Sequence, residues 1–202
     1  MTKDVIFFYE KLVSRKFIKL CYRIVLRREL NIEQTQWKHI YQCKICDMPD
    51  KRLAEFNYKL LNNILCNKAF LSKWKQDTHS QCNICLINES SKHLIFECKN
   101  VTEIWNALGT FLKTNIKWKH VIVGFNYESN RKVITLNTLI SYVAYRIYKY
   151  KMYCRLQCLD ETNYNISHHV KSSIVFYTAI LKNIKSAINY KLFENFVHSI
   201  EY

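Results

Sequence analysis

Four soft ligands crowd the middle of this 202-residue chain in the pattern Cys82-x2-Cys85-x7-His93-x4-Cys98. Thiolates and imidazole are the donors of closed tetrahedral zinc sites. Two thiols with two residues between them can grip one ion from a single tight turn. His93 and Cys98 then complete a shell of three Cys and one His, which leaves no coordination position for a reacting water. The chemistry expected is therefore structural: one Zn2+ holding together a loop too short to own a core. A second pair, Cys43-x2-Cys46, could join Cys82 and Cys85 in a four-Cys site, and His79 could substitute for His93. The compact set of Cys82, Cys85, His93 and Cys98 is the expected one, because its four members are local in sequence.

The elements that must position these ligands read as helices. The chain has only two Gly and one Pro, which disfavours turn-rich all-β architectures. Residues 4–30 have helical periodicity, with Lys11, Arg15, Lys19, Arg23 and Arg27 spaced every four residues as a cationic stripe. A polar gap around Asn31–Gln36 leads to Trp37, Ile40 and Tyr41. Asp50 is placed to cap a strong helix over Leu53–Leu65, whose apolar face is Leu53, Phe56, Leu60, Leu61 and Ile64. Phe70, Leu71 and Trp74 suggest a short helical turn. The segment from His93 to Cys98 begins another helix, continued over 100–113 with Val101, Ile104, Trp105, Leu108 and Leu112 as its buried stripe. Val121–Phe125 reads as weakly extended. A long helix is expected from about Lys132 to Leu159 and a last one from about His169 to Ser199. The fold class expected is mostly α, with a small zinc-stapled loop in the middle and long C-terminal helices. Three segments follow: a basic N-terminal helix (1–36), a zinc-binding module (37–113) and a C-terminal helical segment (114–202).

Composition narrows the partners. The formal charge is +15, from 31 Lys and Arg against 16 Asp and Glu. The excess is +4, +4, +5 and +2 over residues 1–50, 51–100, 101–150 and 151–202, so it describes a basic surface rather than a tail. Such a surface suits a polyanion. The rim of the metal loop carries Lys68, Lys73, Lys75, Lys92 and Lys99, and Trp74, if exposed, offers a ring on which a base could stack. Trp105 lies on an apolar stripe and is read as core. Nine cysteines in a chain with no clean signal peptide point to a reducing compartment, cytoplasm or nucleus, and Cys21, Cys66, Cys154 and Cys158 read as small core residues. No run of 18 uncharged apolar residues is present, so no membrane span is expected.

Beyond single motifs, the order of elements is familiar. The run Leu53-Ala-Glu-Phe-Asn-Tyr-Lys-Leu-Leu-Asn-Asn-Ile-Leu65 precedes Leu71-x-Lys-Trp74, the Cys82–Cys85 pair, His93-Leu-Ile-Phe-Glu-Cys98 and Trp105. This resembles the zinc-binding region at the C-terminal end of reverse transcriptases encoded by non-LTR retrotransposons, over roughly residues 37–110. The segment Tyr145-Arg-Ile-Tyr-Lys-Tyr-Lys-Met152 matches the family's tail more loosely. The chain departs from the family at Cys66, where Pro is common, and at Lys92, where an acidic residue is common. The resemblance implies a tail that grips RNA, single-stranded DNA or target DNA, with the polymerase portion of the same element as a further partner. The upstream chemistry is not visible. The five Asp (4, 47, 50, 77 and 160) form no adjacent pair that could hold two Mg2+ ions. No phosphate-binding Gly loop and no nucleophile motif appears. The expected function is nucleic-acid binding without a catalytic centre, through Lys73, Lys75, Lys92, Lys99 and the Lys11–Arg27 stripe. A helical protein–protein interaction module with incidental charge is the alternative. The isolated chain is expected to give no Mg2+-dependent primer extension or strand cleavage, and either activity in a purified sample would overturn this reading.

Overall fold

The computed structural model describes Leu30 and residues 32–73, 79–125, 131–161, 165–183 and 189–199. The Lys11–Arg27 stripe, Trp74 and Lys75 lie outside the described residues, as does Cys21. Within them the chain is mostly helical, as composition implies, and the only extended pairing is an isolated bridge between Gln81 and Asn88.

Helix α1 (Gln34–Tyr41) starts inside the expected polar gap. Its first turn is secured by the Glu33 amide, which donates to Gln36 Oε1 at 3.2 Å. It runs into a π-helical turn, Gln42–Cys46, that ends shortly before the chain's one proline. Helix α2 (Lys51–Leu61) begins at Asp50, whose carboxylate accepts from the Arg52 amide at 2.8 Å, so the predicted cap is the cap. Leu53, Phe56, Leu60 and Leu61 are buried along it, as expected. The short α3 (Lys68–Leu71) follows, capped by Asn67, and the Cys/His loop leads to a second π-helical turn, His93–Glu97. Helix α4 (Lys99–Phe111) buries Val101, Ile104, Trp105 and Leu108.

Two expectations need correction. Val121–Phe125 is not extended: Trp118–Val123 forms a short helix, α5, whose three valine and isoleucine side chains are all buried. The β-branched run mimics a strand, but tertiary packing decides the conformation of so short a segment. It ends at Gly124, where φ is +89° and an added Cβ would meet the Asn137 amide at 2.7 Å. The second correction concerns the last helix. The long α6 (Arg131–Leu156) is followed not by one helix but by two, α7 (Ile166–Asn183) and α8 (Tyr190–Ser199), packed against each other. Lys182 and Glu194 pair at 2.6 Å. In one continuous helix, twelve residues would separate them by about 18 Å.

Helix α6 is the axis of the fold. It packs on α2, α5, α7, α8 and both π-helical turns. Phe56 of α2 meets Tyr145 and Tyr148, with ring centroids 5.6 and 5.7 Å apart. On another face Tyr142 stacks on Tyr177 of α7 at 4.1 Å and donates to the Ser173 carbonyl. Buried side chains from both sides of residue 113 belong to one core.

Two lysines are inside that core. Lys44, on the first π-helical turn, has no exposed surface. Its Nζ donates to Ser141 Oγ at 2.7 Å and to the Val121 carbonyl at 3.1 Å. Asn57 of α2 donates to both the Lys44 carbonyl and Ser141 Oγ, so one polar cluster joins the turn, α2, α5 and α6. Loss of hydration pulls the Lys44 ammonium down to about 7, against an opposing pull from neighbouring Cys43. The unfolded chain therefore binds this proton more tightly than the folded one between pH 7 and pH 10.5. Stability should rise across that window, by at most about 1.4 kcal/mol per pH unit. Denaturant titrations of the wild type and Lys44→Met should show the wild type gaining on the variant from pH 7 to pH 10, and a pH-independent difference would contradict it.

Candidate metal centre

The loop between α3 and the second π-helical turn is folded back by its own backbone. The Cys82 amide donates to the Ile87 carbonyl at 2.8 Å, and the Leu86 amide donates to the Cys82 carbonyl at 2.9 Å. Leu86 takes φ of +58°, which closes the turn and points Cys82 and Cys85 the same way. The Glu89 amide then donates to the Ser80 carbonyl at 2.8 Å, tying the two legs of the loop. Glu89 Oε1 accepts from the Lys68 amide at 2.9 Å, so the start of α3 is fastened to the same loop.

The other two donors come from the π-helical turn. Just before it, the Ser90 hydroxyl accepts from the His93 amide at 3.1 Å. The Cys98 amide donates to the His93 carbonyl at 2.9 Å, an i to i+5 bond that puts His93 and Cys98 at the two ends of one wide turn. The Trp105 indole N–H donates to the Ile95 carbonyl at 2.8 Å, and the ring is buried, as its place on the stripe implied. Phe96, between them, contacts Trp105 and Trp118.

These elements bring together all four predicted ligands. One donor atom each from Cys82, Cys85, His93 and Cys98 lies within 4.8 Å of the other three, a group that could hold a metal ion. The Sγ of Cys98 is 3.7 Å from that of Cys82 and 3.8 Å from that of Cys85. Disulfide sulfurs would be about 2.05 Å apart. Around one ion with metal–sulfur bonds of about 2.3 Å, tetrahedral geometry puts sulfurs about 3.8 Å apart. The observed spacing fits a shared ion. Buried His93 supports the same conclusion, since neither ring nitrogen has a hydrogen-bond partner and a metal would satisfy one of them. The donor set and spacing thus fit a metal.

Protons are unevenly held among these sulfurs. Cys98 is lowered to about 7, first by the hydrogen bond from Cys82 and then by the neighbouring Lys151 ammonium, against the opposing effect of burial. Cys82 is raised to about 12 by the same shared hydrogen bond and by burial. The Lys99 amide, 3.4 Å from Cys85 Sγ, adds a donor to another sulfur.

Cys43 and Cys46 are not in this group, and neither is exposed His79. Of the predicted rim, Lys73 and Lys99 are exposed and form no ion pair among the described residues, whereas Lys92 pairs with Glu97 at 2.6 Å. Sequence reasoning missed Lys151, whose Nζ is 3.0 Å from Cys98 Sγ with no exposed surface. A signal was available: Lys151 falls four residues after Ile147 and three before Cys154, on the buried stripe of α6.

Fold and site together define a mostly helical protein with a candidate four-donor metal centre. No family model matches the chain, and no curated protein and no solved structure matches it. Metal analysis of the reduced, purified chain should find about one ion per molecule. His93→Ala and Cys98→Ala should each lose it and loosen residues 79–100, with most helical signal retained. Cys43→Ser should keep it, and loss of metal in that variant would reassign the site.

Proposed function

We propose that this chain is a structural zinc module that binds RNA or single-stranded DNA, the tail of a non-LTR retrotransposon reverse transcriptase, without a catalytic centre of its own. Zinc is the ion that three thiolates and one imidazole in a closed tetrahedron select. The convergence of Cys82, Cys85, His93 and Cys98, in the order of motifs that resembles that family, is the observation that carries the reading.

Support for a nucleic-acid surface comes from what surrounds the site. Lys99 directly follows a ligand and Lys73 follows α3, which is fastened to the metal loop through Glu89; both are exposed. The Lys92–Glu97 pair is on the surface, and such pairs contribute only about 0–1 kcal/mol, so a phosphate can displace the carboxylate. With Lys75 and the Lys11–Arg27 stripe, these residues provide the phosphate-binding charges in this proposal. Any association with the upstream polymerase of the element belongs to the same proposal, as does a reducing cytoplasmic or nuclear setting. Among the described residues no helix is long and apolar enough to cross a membrane.

A second reading, a protein–protein interaction module, rests on exposed apolar side chains. Val175 and Phe176 on α7 are 49% and 68% exposed, and Leu86 at the loop tip is 70% exposed.

Salt dependence separates the two. Binding to a mixed-sequence RNA or DNA single strand should weaken steeply with salt. Replacing Lys73, Lys75, Lys92 and Lys99 with Gln should weaken it for all sequences and flatten the slope by roughly one unit for each phosphate no longer neutralised. Affinity and slope unchanged in both this variant and one without the Lys11–Arg27 charges would sink the nucleic-acid reading and favour the interaction module.

A further inference from the structure

The second buried lysine is placed where the metal site needs charge. One turn of α6 directs Lys151 and Arg155, four residues apart, at the metal loop. Lys151 Nζ is 3.0 Å from Cys98 Sγ and 3.6 Å from Glu161 Oε2, and both Lys151 and Cys98 are fully buried. Arg155 reaches Glu161 at 3.5 Å and also pairs with Glu89, the residue that ties the metal loop to α3. A polar relay therefore runs Cys98, Lys151, Glu161, Arg155, Glu89, from the ligand shell back into the loop.

Charge counting shows what this arrangement does. Without metal and with thiols protonated, two cations (Lys151, Arg155) balance two carboxylates (Glu89, Glu161). A divalent ion with three thiolates and a neutral imidazole adds a net charge of −1 in a region largely withdrawn from water, where Cys82, His93 and Cys98 are buried. A buried charge without a partner is costly, and the N–H donor 3.0 Å from Cys98 is the one group in the cluster that touches a ligand sulfur with positive charge. The same ammonium also faces the Glu161 carboxylate, so the sulfur and the carboxylate compete for it.

We infer that Lys151 is the buried counter-charge of the loaded metal site, a positioning residue that donates an N–H to the Cys98 sulfur, and that Glu161 opposes it by drawing on the same ammonium. This inference rests on the four donors binding a metal. It makes the long helix part of the site: the α6 side chain that completes the charge balance comes from 53 residues beyond the ligand it serves.

The two roles of Lys151 can be separated because Lys151→Met and Glu161→Gln delete the same ion pair. If Lys151 serves only folding, both substitutions should weaken metal binding alike. If it serves the metal, they should differ in direction. The full-length reduced chain would be titrated with Co2+, read by thiolate-to-metal absorption, and with Zn2+ against a chromophoric chelator. Lys151→Met should lower Zn2+ affinity on the order of 10- to 100-fold, the range typical of groups that orient metal ligands. Glu161→Gln should match or exceed the wild-type affinity. Equal affinity in wild type and Lys151→Met overturns the inference alone, as does a loss in Glu161→Gln equal to that in Lys151→Met. Should Lys151→Met not fold, Glu161→Gln decides by itself, a lowered affinity overturning the inference. A wild-type chain that takes up neither Co2+ nor Zn2+ overturns the metal site together with it.

Discussion

Residues 79–98 are too few to enclose a core, and small units of that size need a metal, disulfides or a neighbour to be stable. The chain meets this constraint twice over. Four donors converge inside the loop, with sulfur spacings of 3.7 and 3.8 Å. The loop is also pressed against α6, whose Lys151 and Arg155 reach ligands and carboxylates within it. Placement of α4 follows from the same constraint, since Cys98 is both a donor and the residue from which α4 starts. Trp105, on α4, then returns its N–H to the Ile95 carbonyl and closes the far side of the turn.

Helix α6 shows how a single helix can serve so many neighbours. Its middle is buried on nearly every side, with Leu139, Ile140, Tyr142, Val143, Ala144 and Ile147 all inside. A helix apolar all round belongs in the centre of a fold, not on its surface. Polar residues on it are absorbed by specific partners: Ser141 accepts from Lys44, and Tyr142 donates to Ser173. Both buried lysines therefore meet this helix, one arriving from a π-helical turn and one carried by α6 itself. Such groups contribute little net stability when paired, yet leaving one unpaired is severely destabilising, so they narrow the ways in which α6 can pack.

The legible parts of the sequence were those whose signals are local. The ligand set was readable because Cys82, Cys85, His93 and Cys98 fall within one short segment and one donor chemistry. Asp50 and the Leu53–Leu61 face of α2 were readable because caps and stripes repeat at helical spacing. What stayed hidden depends on partners distant in sequence. Lys44 and Lys151 look like surface charge until Ser141, Val121, Cys98 and Glu161 are brought beside them. Val121–Phe125 reads as extended because its β-branched residues carry the same pattern in a strand and in a short buried helix. The α7–α8 reversal is hidden in the sequence because no Gly or Pro marks it; the Lys182–Glu194 pair and the Tyr177–Phe193 ring contact reveal it.

The π-helical turn between His93 and Glu97 sets unequal tolerances to length change on the two sides of the imidazole. A π-helical turn holds one residue more than an α-helical turn. Deleting one residue between His93 and Cys98 would return the segment to α-helical winding and leave Cys98 on nearly the same face, whereas inserting one would carry it about 100° around the axis, away from the other sulfurs. The stretch between Cys85 and His93 carries no such angular requirement where it bulges outward at Leu86 and Ile87, which are 70% and 53% exposed. Lengthening can therefore accumulate before the imidazole but not after it, where an interval of four residues, or of three in an α-helical turn, keeps the two ligands on one face.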